Sequence, residues 1–343
     1  MNIKGNILNW IKDWLHGRRQ KVVINDKCSI WQLVLSGVPQ GSVLGPLLFI
    51  IFINDLDVAA EEALVLKKFA DDTKLANLSR NSVDHNKMQT AIDNLVTWSK
   101  KWGMSFNKDK CKIMHLGSNN PKYTYTMDNQ PLSSTDEERD IGVLIHRSLK
   151  PSKQCEAASN RARAVLNQIS RSFHYRNRHV FKRLYTTYVR PHLEFSVPAW
   201  APTSTHDIDA LENVQIKAVN MISGLKGKSY QEKLKELNMQ SLETRRKRFD
   251  IIQVYKIMNS LVDMNSNQWF TLVSEMAIRN TRQTADPNSL TIQRARTQIR
   301  QNFFTIRAAA SWNSIPITIR SARSLQIFKN KLDEYLSVTV DSQ

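Results

Sequence analysis

Cysteine and glycine are both scarce in this chain of 343 residues. The three cysteines, Cys28, Cys111 and Cys155, stand too far apart for a zinc knuckle or a disulfide framework, which points to a reducing, intracellular compartment. Ten glycines fall well below the ~7% of average usage, so any cluster of them stands out. Long apolar runs are also missing. The longest, VLGPLLFIIFI at 43–53, is far shorter than the ~20 residues a bilayer-spanning helix needs, and no membrane partner is expected. The opening MNIKGNILNWIKDW has no continuous apolar stretch of the signal-peptide kind. Acid is in short supply too, with 31 Asp and Glu against 49 Lys and Arg.

What is present is a chain able to build a core, 41% apolar with eight Trp, long enough for about two domains by the usual prior. Its charge is unevenly placed. Residues 1–150 carry 20 Lys and Arg against 16 Asp and Glu, whereas residues 151–343 carry 29 against 15. The second part is the basic one. A polyanion, nucleic acid first among them, is the natural partner, with simple solubility or an acidic lipid surface as the bland alternative.

Periodicity divides the chain in the same way. Residues 6–16 place Ile7, Leu8, Ile11, Trp14 and Leu15 on one helical face. QKVVIND and SIWQLVLS read as a hairpin around Asn25-Asp26-Lys27, and a Gly/Pro-rich loop then feeds an apolar helix ending near Asn54-Asp55. Residues 63–78 read as a second hairpin with FADD at its tip. Residues 86–102 set Met88, Ile92, Leu95, Ser99 and Trp102 toward a core at helical spacing. MSFN, CKIMHL and KYTYTM read as short strands, the last turning at Asp128-Asn129. Antiparallel strands mixed with helices make an α+β pattern. After Pro151 the period is 3.6, with helices expected at 154–173, 177–190, 207–223, 229–238 and 241–262. A polar linker is expected over 263–302, centred on TRQTADPNS, and a last helix over 324–336 behind the capping Ser324.

Two short stretches carry chemistry. SGVPQGSVLG concentrates Gly37, Gly41 and Gly45 with Pro39 and Pro46, and Pro39 argues against a continuous GxxxG helix. A stiff, bare loop that lets a backbone or flat ligand approach closely fits better, although a tight turn without ligand explains it as well. FADDTKL sets Asp71 beside Asp72 between apolar flanks. Adjacent residues on a strand face opposite ways, but at a hairpin tip both carboxylates can share one rim. A plain turn accounts easily for one Asp and less easily for a repelling pair. A divalent cation supplies the counter-charge, since magnesium takes one or two carboxylates plus substrate phosphates. Lys67, Lys68 and Lys74 could screen the pair instead.

Together, SGVPQGSVLGPLLFIIFINDL and FADDTKL resemble the reverse transcriptases of non-LTR (LINE-type) retrotransposons, the jockey-like group in particular. WSKKWGMSFNKDKCKIMHLG, RDIGVLIHRSLKPSKQC, LYTTYVRPHLEF and FFTIRAAASWNSIP continue the resemblance in the family's order along nearly the whole chain. The resemblance implies a right-hand polymerase. Residues 1–150 would be a partial palm, an incomplete antiparallel sheet with packed helices. Residues 151–262 would form a mostly α-helical thumb-like region, and 263–343 a linker and C-terminal helical segment. Asp71 would be the main ligand of Mg2+ (or Mn2+), with Asp72 beside it, and Phe69 at the same hairpin would contact the substrate or template. Gln40, Gly41 and Ser42 would meet the template strand and the incoming dNTP. Lys110 would lie near the leaving pyrophosphate, or be a solvated turn lysine, and RDIGVLI would be the primer-grip hairpin. Arg161, Arg163, Arg171, Lys182 and Arg183 would hold the RNA template and DNA primer by their backbones.

The family's preceding palm strand, which supplies a third metal-binding carboxylate, has no counterpart after Met1. Asp13, Asp55 and Asp57 do not replace it. The 343-residue chain by itself is therefore expected to hold an incomplete metal site and to show little synthesis. The alternative reading is a non-catalytic nucleic-acid-binding remnant of such an element. RRKR at 245–248 fits a nuclear-localisation run or, better, a solvated or phosphate-facing helix surface, and leaves nucleus and cytoplasm both open.

Overall fold

The computed structural model describes residues 3–276, 286 and 288–340, which fall into two units, Met1–Thr135 and Asp136–Gln343. The first is α+β. Its Gly5–Leu15 helix has the expected apolar face, yet none of its residues is buried, and among the described residues Trp10 stacks only on Trp14 (6.2 Å between ring centroids). The hairpin that follows pairs Arg19–Gln20 with Gln32–Leu33 and Val23–Ile24 with Lys27–Cys28. Its tip residues Asn25 and Asp26 both have positive φ, as a two-residue type I′ turn requires.

The core of this unit forms around the Ser82–Trp102 helix. Asn81 caps its start, its side chain accepting from the Asp84 amide at 3.0 Å, and Gly103 ends it in the left-handed region. On one side Leu95, Trp98 and Ala91 pack with Ile53, Leu56 and Ala60 and with the half-buried Leu66 and Leu75. On another side Ile92 packs with Tyr125, Met127 and Leu132. Gln89 behaves there like a strand residue, donating to the Thr126 carbonyl at 2.8 Å and accepting from its amide at 2.9 Å. Trp102, expected to face the core, is 43% exposed; it lies at the helix end, where its ring meets the edge of Phe52 and the ring of Trp98.

Of the short strands expected after that helix, two persist. Thr126–Met127 pairs with Gln130–Pro131 across the Asp128-Asn129 turn, and Lys112–Ile113 pairs in parallel with Ser133–Ser134. MSFN is not a strand: Met104 and Phe106 pack into the two apolar clusters without a ladder partner. Among the described residues every sheet has two strands, so the expected antiparallel sheet exists only as separate pairs.

The second unit opens with the hairpin Glu137–Asp140 and Val143–His146, turned at Ile141-Gly142, and is otherwise helical. Ser152–Ser172, Thr205–Asn220 and Tyr230–Glu236 match the expected helices and share one core with Val143, Phe181, Val189 and Trp200. The continuous helix expected over 177–190 is instead Arg178–Leu184 followed by a widened π turn, Tyr185–Val189, and then Arg190–Glu194. Pro191 stands in the first turn of that last piece, and a chain approaching a residue with no N–H accommodates it by widening.

Leu242–Met258 reaches a second core, where Ile251, Val254, Tyr255 and Ile257 meet Phe304, Trp312, Phe328 and Leu332. Phe304–Asn313 is a helix outside those the periodicity predicts, and Leu325–Val340 is the expected last one. The supposed linker 263–302 is anchored, since Phe270 and Leu290 are buried and Leu272 bridges to Leu290. Most of TRQTADPNS lies outside the described residues. Among the described residues no helix is long and apolar enough to cross a membrane.

Candidate active site

The FADD hairpin is the most regular strand pair in the first unit. Val65–Phe69 pairs antiparallel with Asp72–Ala76, Phe69 directly opposite Asp72. Alternation puts Leu66 and Leu75 inward against the Ile53 and Leu56 cluster, and leaves Lys67, Phe69, Asp72 and Lys74 on the exposed face. Lys68 pins the hairpin from its inner face, donating to the Ile53 carbonyl at 2.9 Å and pairing with Asp57 at 3.0 Å. Lys68 is therefore not a screen for the aspartate pair. Asp57 is engaged by that lysine, and Asp55 accepts from the Trp98 indole at 2.9 Å, so neither is available as a further carboxylate.

The tip is a two-residue turn, Ala70-Asp71, with Ala70 at φ +51°. Left-handed backbone costs a residue with a Cβ about 1–2 kcal/mol, and glycine usually fills that position. Such strain persists where the surrounding structure over-determines it, commonly at functional sites. Its effect here is to place Asp71 at the apex and Asp72 next to it, both exposed, with Phe69 61% exposed beside them. Among the described residues no group of three or more His, Cys, Asp or Glu comes together as a metal cage. The donor set at the tip is two adjacent carboxylates, hard oxygen ligands of the number that Mg2+ takes from protein when substrate phosphates complete its shell.

The glycine-rich segment is a loop through Leu44, as the proline implied. Gly37 and Gly41 have φ of +75° and +78°, and the helix Gly45–Phe52 begins at the third glycine, with Pro46 in its first turn. Arg18 braces the loop, its guanidinium donating to the carbonyls of Leu15 (3.0 Å) and Gly37 (2.5 Å). Ser42 holds the entry to the helix, donating to the Pro39 carbonyl at 2.7 Å and accepting from the Gly45 amide at 3.0 Å. Ser42 is thus a structural pin of the loop, while Gln40 and Gly41 are exposed on it.

Lys110 is exposed at the end of the Asn107–Lys110 turn. Its neighbour Lys108 is the engaged one. Lys108 and Lys100 each reach Asp128 at 2.8 Å, and these two charged hydrogen bonds hold its carboxyl down at about 2. In the second unit Arg161, Arg171 and Arg183 are exposed, and Arg163 makes only long contacts to Asn160 (3.4 Å) and the Ala210 carbonyl (3.5 Å). Lys182 is turned inward, donating to the carbonyls of Leu237 (2.5 Å) and Asn238 (3.3 Å) at the end of a neighbouring helix.

RRKR is not the solvated surface it suggested. Arg245 pairs with Glu194, Arg248 with Asp333, and Arg246 is buried; only Lys247, beside Glu243 at 3.0 Å, remains on the surface. The run ties Leu242–Met258 to Arg190–Glu194 and to the last helix. The sequence could not show this, because the partners lie 51 and 85 positions away.

Residues 1–156 match the family described as reverse transcriptase (RNA-dependent DNA polymerase). The chain is 26% identical over 225 residues to the RNA-directed DNA polymerase from mobile element jockey of Drosophila funebris, covering 62% of this chain and 25% of that protein. It is 27% identical over 223 residues to the probable RNA-directed DNA polymerase from transposon X-element of Drosophila melanogaster, covering 62% and 24%. A third relative, the probable RNA-directed DNA polymerase from transposon BS of the same fly, is 22% identical over 233 residues.

Residues 1–156, which hold both loops, thus match a reverse transcriptase domain. The relatives it resembles are polymerases of jockey and other mobile elements, which supports a jockey-like, non-LTR type. It spans about a quarter of the length of the curated relatives it matches.

Proposed function

We propose that this chain forms part of an RNA-directed DNA polymerase that adds dNTPs to a primer 3′ end on an RNA template. The observation that carries the reading is the strained Ala70-Asp71 tip, which presents two carboxylates on a hairpin anchored to a packed core. In this reading residues 1–150 are palm, Asp71 is the principal ligand of a divalent cation, and Asp72 is its neighbour. When bound, the cation supplies activation of the attacking hydroxyl and stabilisation of the leaving oxygen.

The chain's own residues do the positioning. Leu66, Leu75 and Lys68 fix the height of the tip, and Phe69 offers an exposed ring beside Asp72. The braced Gly37–Leu44 loop offers exposed backbone at Gly41 and the amide of Gln40 to a flat ligand such as a base pair. Lys110 would meet the pyrophosphate. The helical second unit, with residues 151–262 as thumb, would hold the RNA–DNA duplex through Arg161, Arg163, Arg171 and Arg183. Such phosphate contacts fix register without reading sequence.

The test is primer extension on an RNA template by the 343-residue chain and by the same chain joined to its upstream reading frame. Mg2+-dependent incorporation by the longer polypeptide is expected. If the longer polypeptide incorporates nothing, the non-catalytic reading replaces this one.

A further inference from the structure

Residues 170–183, SRSFHYRNRHVFKR, hold five cationic side chains and no acidic one, with two aromatic residues in the loop between helices. This segment lies beyond the residues that match the reverse transcriptase family.

The loop is held from several directions. Arg176 folds back over the end of the Ser152–Ser172 helix, donating to the Ser170 carbonyl (3.0 Å) and hydroxyl (3.1 Å). Its own carbonyl accepts from the Ser223 amide at 2.8 Å, which ties the loop to the Ser223–Lys228 turn. Asn177 caps the next helix, accepting from the Val180 amide at 2.8 Å. Arg178 reaches the Gly224 carbonyl (3.3 Å) and pairs with Glu236 (2.8 Å). Arg176 and Arg178 brace the loop, Lys182 is engaged by the Leu237 and Asn238 carbonyls, and Arg171 and Arg183 are exposed. Lys226 adds a third exposed cation on the adjoining turn.

On this frame Tyr175 is 75% exposed and Phe173 42%. A single exposed aromatic is ordinary. Here two stand on a loop braced by the hydrogen bonds above, and the exposed charges beside it, Arg171, Arg183 and Lys226, are positive. That is the pairing single-stranded nucleic acid uses: cations track the backbone while unpaired bases stack on aromatic rings, with little sequence preference.

We propose that the Phe173–Asn177 loop is a stacking platform for unpaired nucleotides of a nucleic-acid strand, with Tyr175 the principal ring and Arg171, Arg183 and Lys226 its phosphate contacts. The occupant differs from the duplex of the polymerase reading, and the proposal does not depend on that reading. The loop and its charges would bind a single strand whether or not the chain extends a primer.

The test uses the full chain and a fluorescent oligouridylate of about a dozen nucleotides, within the span one such surface covers. An abasic oligomer of the same length serves as the comparison. Tyr175→Ala should weaken binding of the oligouridylate by roughly 5- to 100-fold, and Tyr175→Phe by much less. Neither should change binding of the abasic strand. Arg171→Ala should weaken both strands and lower the salt slope by about 0.7. Equal affinity of wild type and Tyr175→Ala for the oligouridylate would overturn the proposal. So would an equal loss on the abasic strand. Primer extension by the variants of Tyr175, a residue outside the duplex contacts proposed above, reads the polymerase proposal separately.

Discussion

At the scale of single residues, the same side-chain types do different work according to what faces them. Lys110 is exposed, whereas Lys108, two positions earlier, joins Lys100 on Asp128 at the tip of the Thr126–Pro131 hairpin. The Asp128 carboxyl is held down at about 2, first by the hydrogen bonds from Lys100 and Lys108 and then by their charges. Its folded-state value lies below the ordinary 3.8, so its contribution to stability is present above about pH 4 and lost as pH falls toward 2. Replacing both lysines by alanine should therefore lower the denaturation midpoint at neutral pH, and the gap from wild type should close between about pH 4 and 2. A gap of constant size across that window would show that the lysines act by packing rather than charge. Lys100 lies on the surface and Lys108 and Asp128 are only half-buried, so the effect should also shrink in high salt.

At the scale of elements, the glycine loop and the hairpin were readable because backbone chemistry is local. Pro39 and the three glycines excluded a continuous helix, and two aspartates between apolar flanks marked a tip. Asp128-Asn129 marked another, and both its residues have positive φ. The third glycine has a role that spacing did not reveal. Gly45 is buried, and a Cβ there would lie 2.9 Å from the Ser42 hydroxyl and 3.1 Å from the Pro39 carbonyl. Gly45→Ala gains up to ~1 kcal/mol of helix propensity. It also displaces the hydrogen bonds that hold the loop entry, at a cost of about 1–3 kcal/mol for such overpacking. The net expectation is a lower urea midpoint and a loop more readily cut by protease. A variant as stable and as resistant as wild type would mean the loop shifts freely. Less legible were the π turn, whose residues keep a helical apolar pattern, and the Phe304–Asn313 helix. Least legible were the partners of Arg245 and Arg248, because long-range ion pairs leave no local signature.

At the scale of the whole molecule, the two units differ in how they bury their apolar residues. The second has two continuous clusters, and the Leu242–Met258 helix serves both through Leu242 at one end and Ile251 to Ile257 at the other. A cut after residue 262 would strip the second cluster of Phe304, Trp312, Phe328 and Leu332. The first unit leaves Leu35 86%, Val43 94%, Ile30 76% and Ile24 66% exposed, and its strands occur only as pairs with open edges. Open edges beside apolar surface are templates for association. Residues 1–135 expressed alone should be poorly soluble, and residues 136–343 should be monomeric and unfold cooperatively. A soluble, monomeric 1–135 fragment with a cooperative transition would contradict this. The charge division read from the sequence agrees with that contrast, but composition alone could not show which apolar side chains stay uncovered.

The claim on which the polymerase account turns is that Asp71, at the strained apex of its hairpin, serves nucleotide transfer. The measurement that reaches it most directly is RNA-templated primer extension in Mg2+ by the chain joined to its upstream reading frame, comparing wild type with Asp71→Asn. Asp71 is exposed, so the substitution should leave the thermal transition unchanged. Loss of a metal-binding carboxylate should cut the rate by roughly 100-fold or more. Undiminished extension by a folded Asp71→Asn protein would remove Asp71 from the metal site and contradict the account.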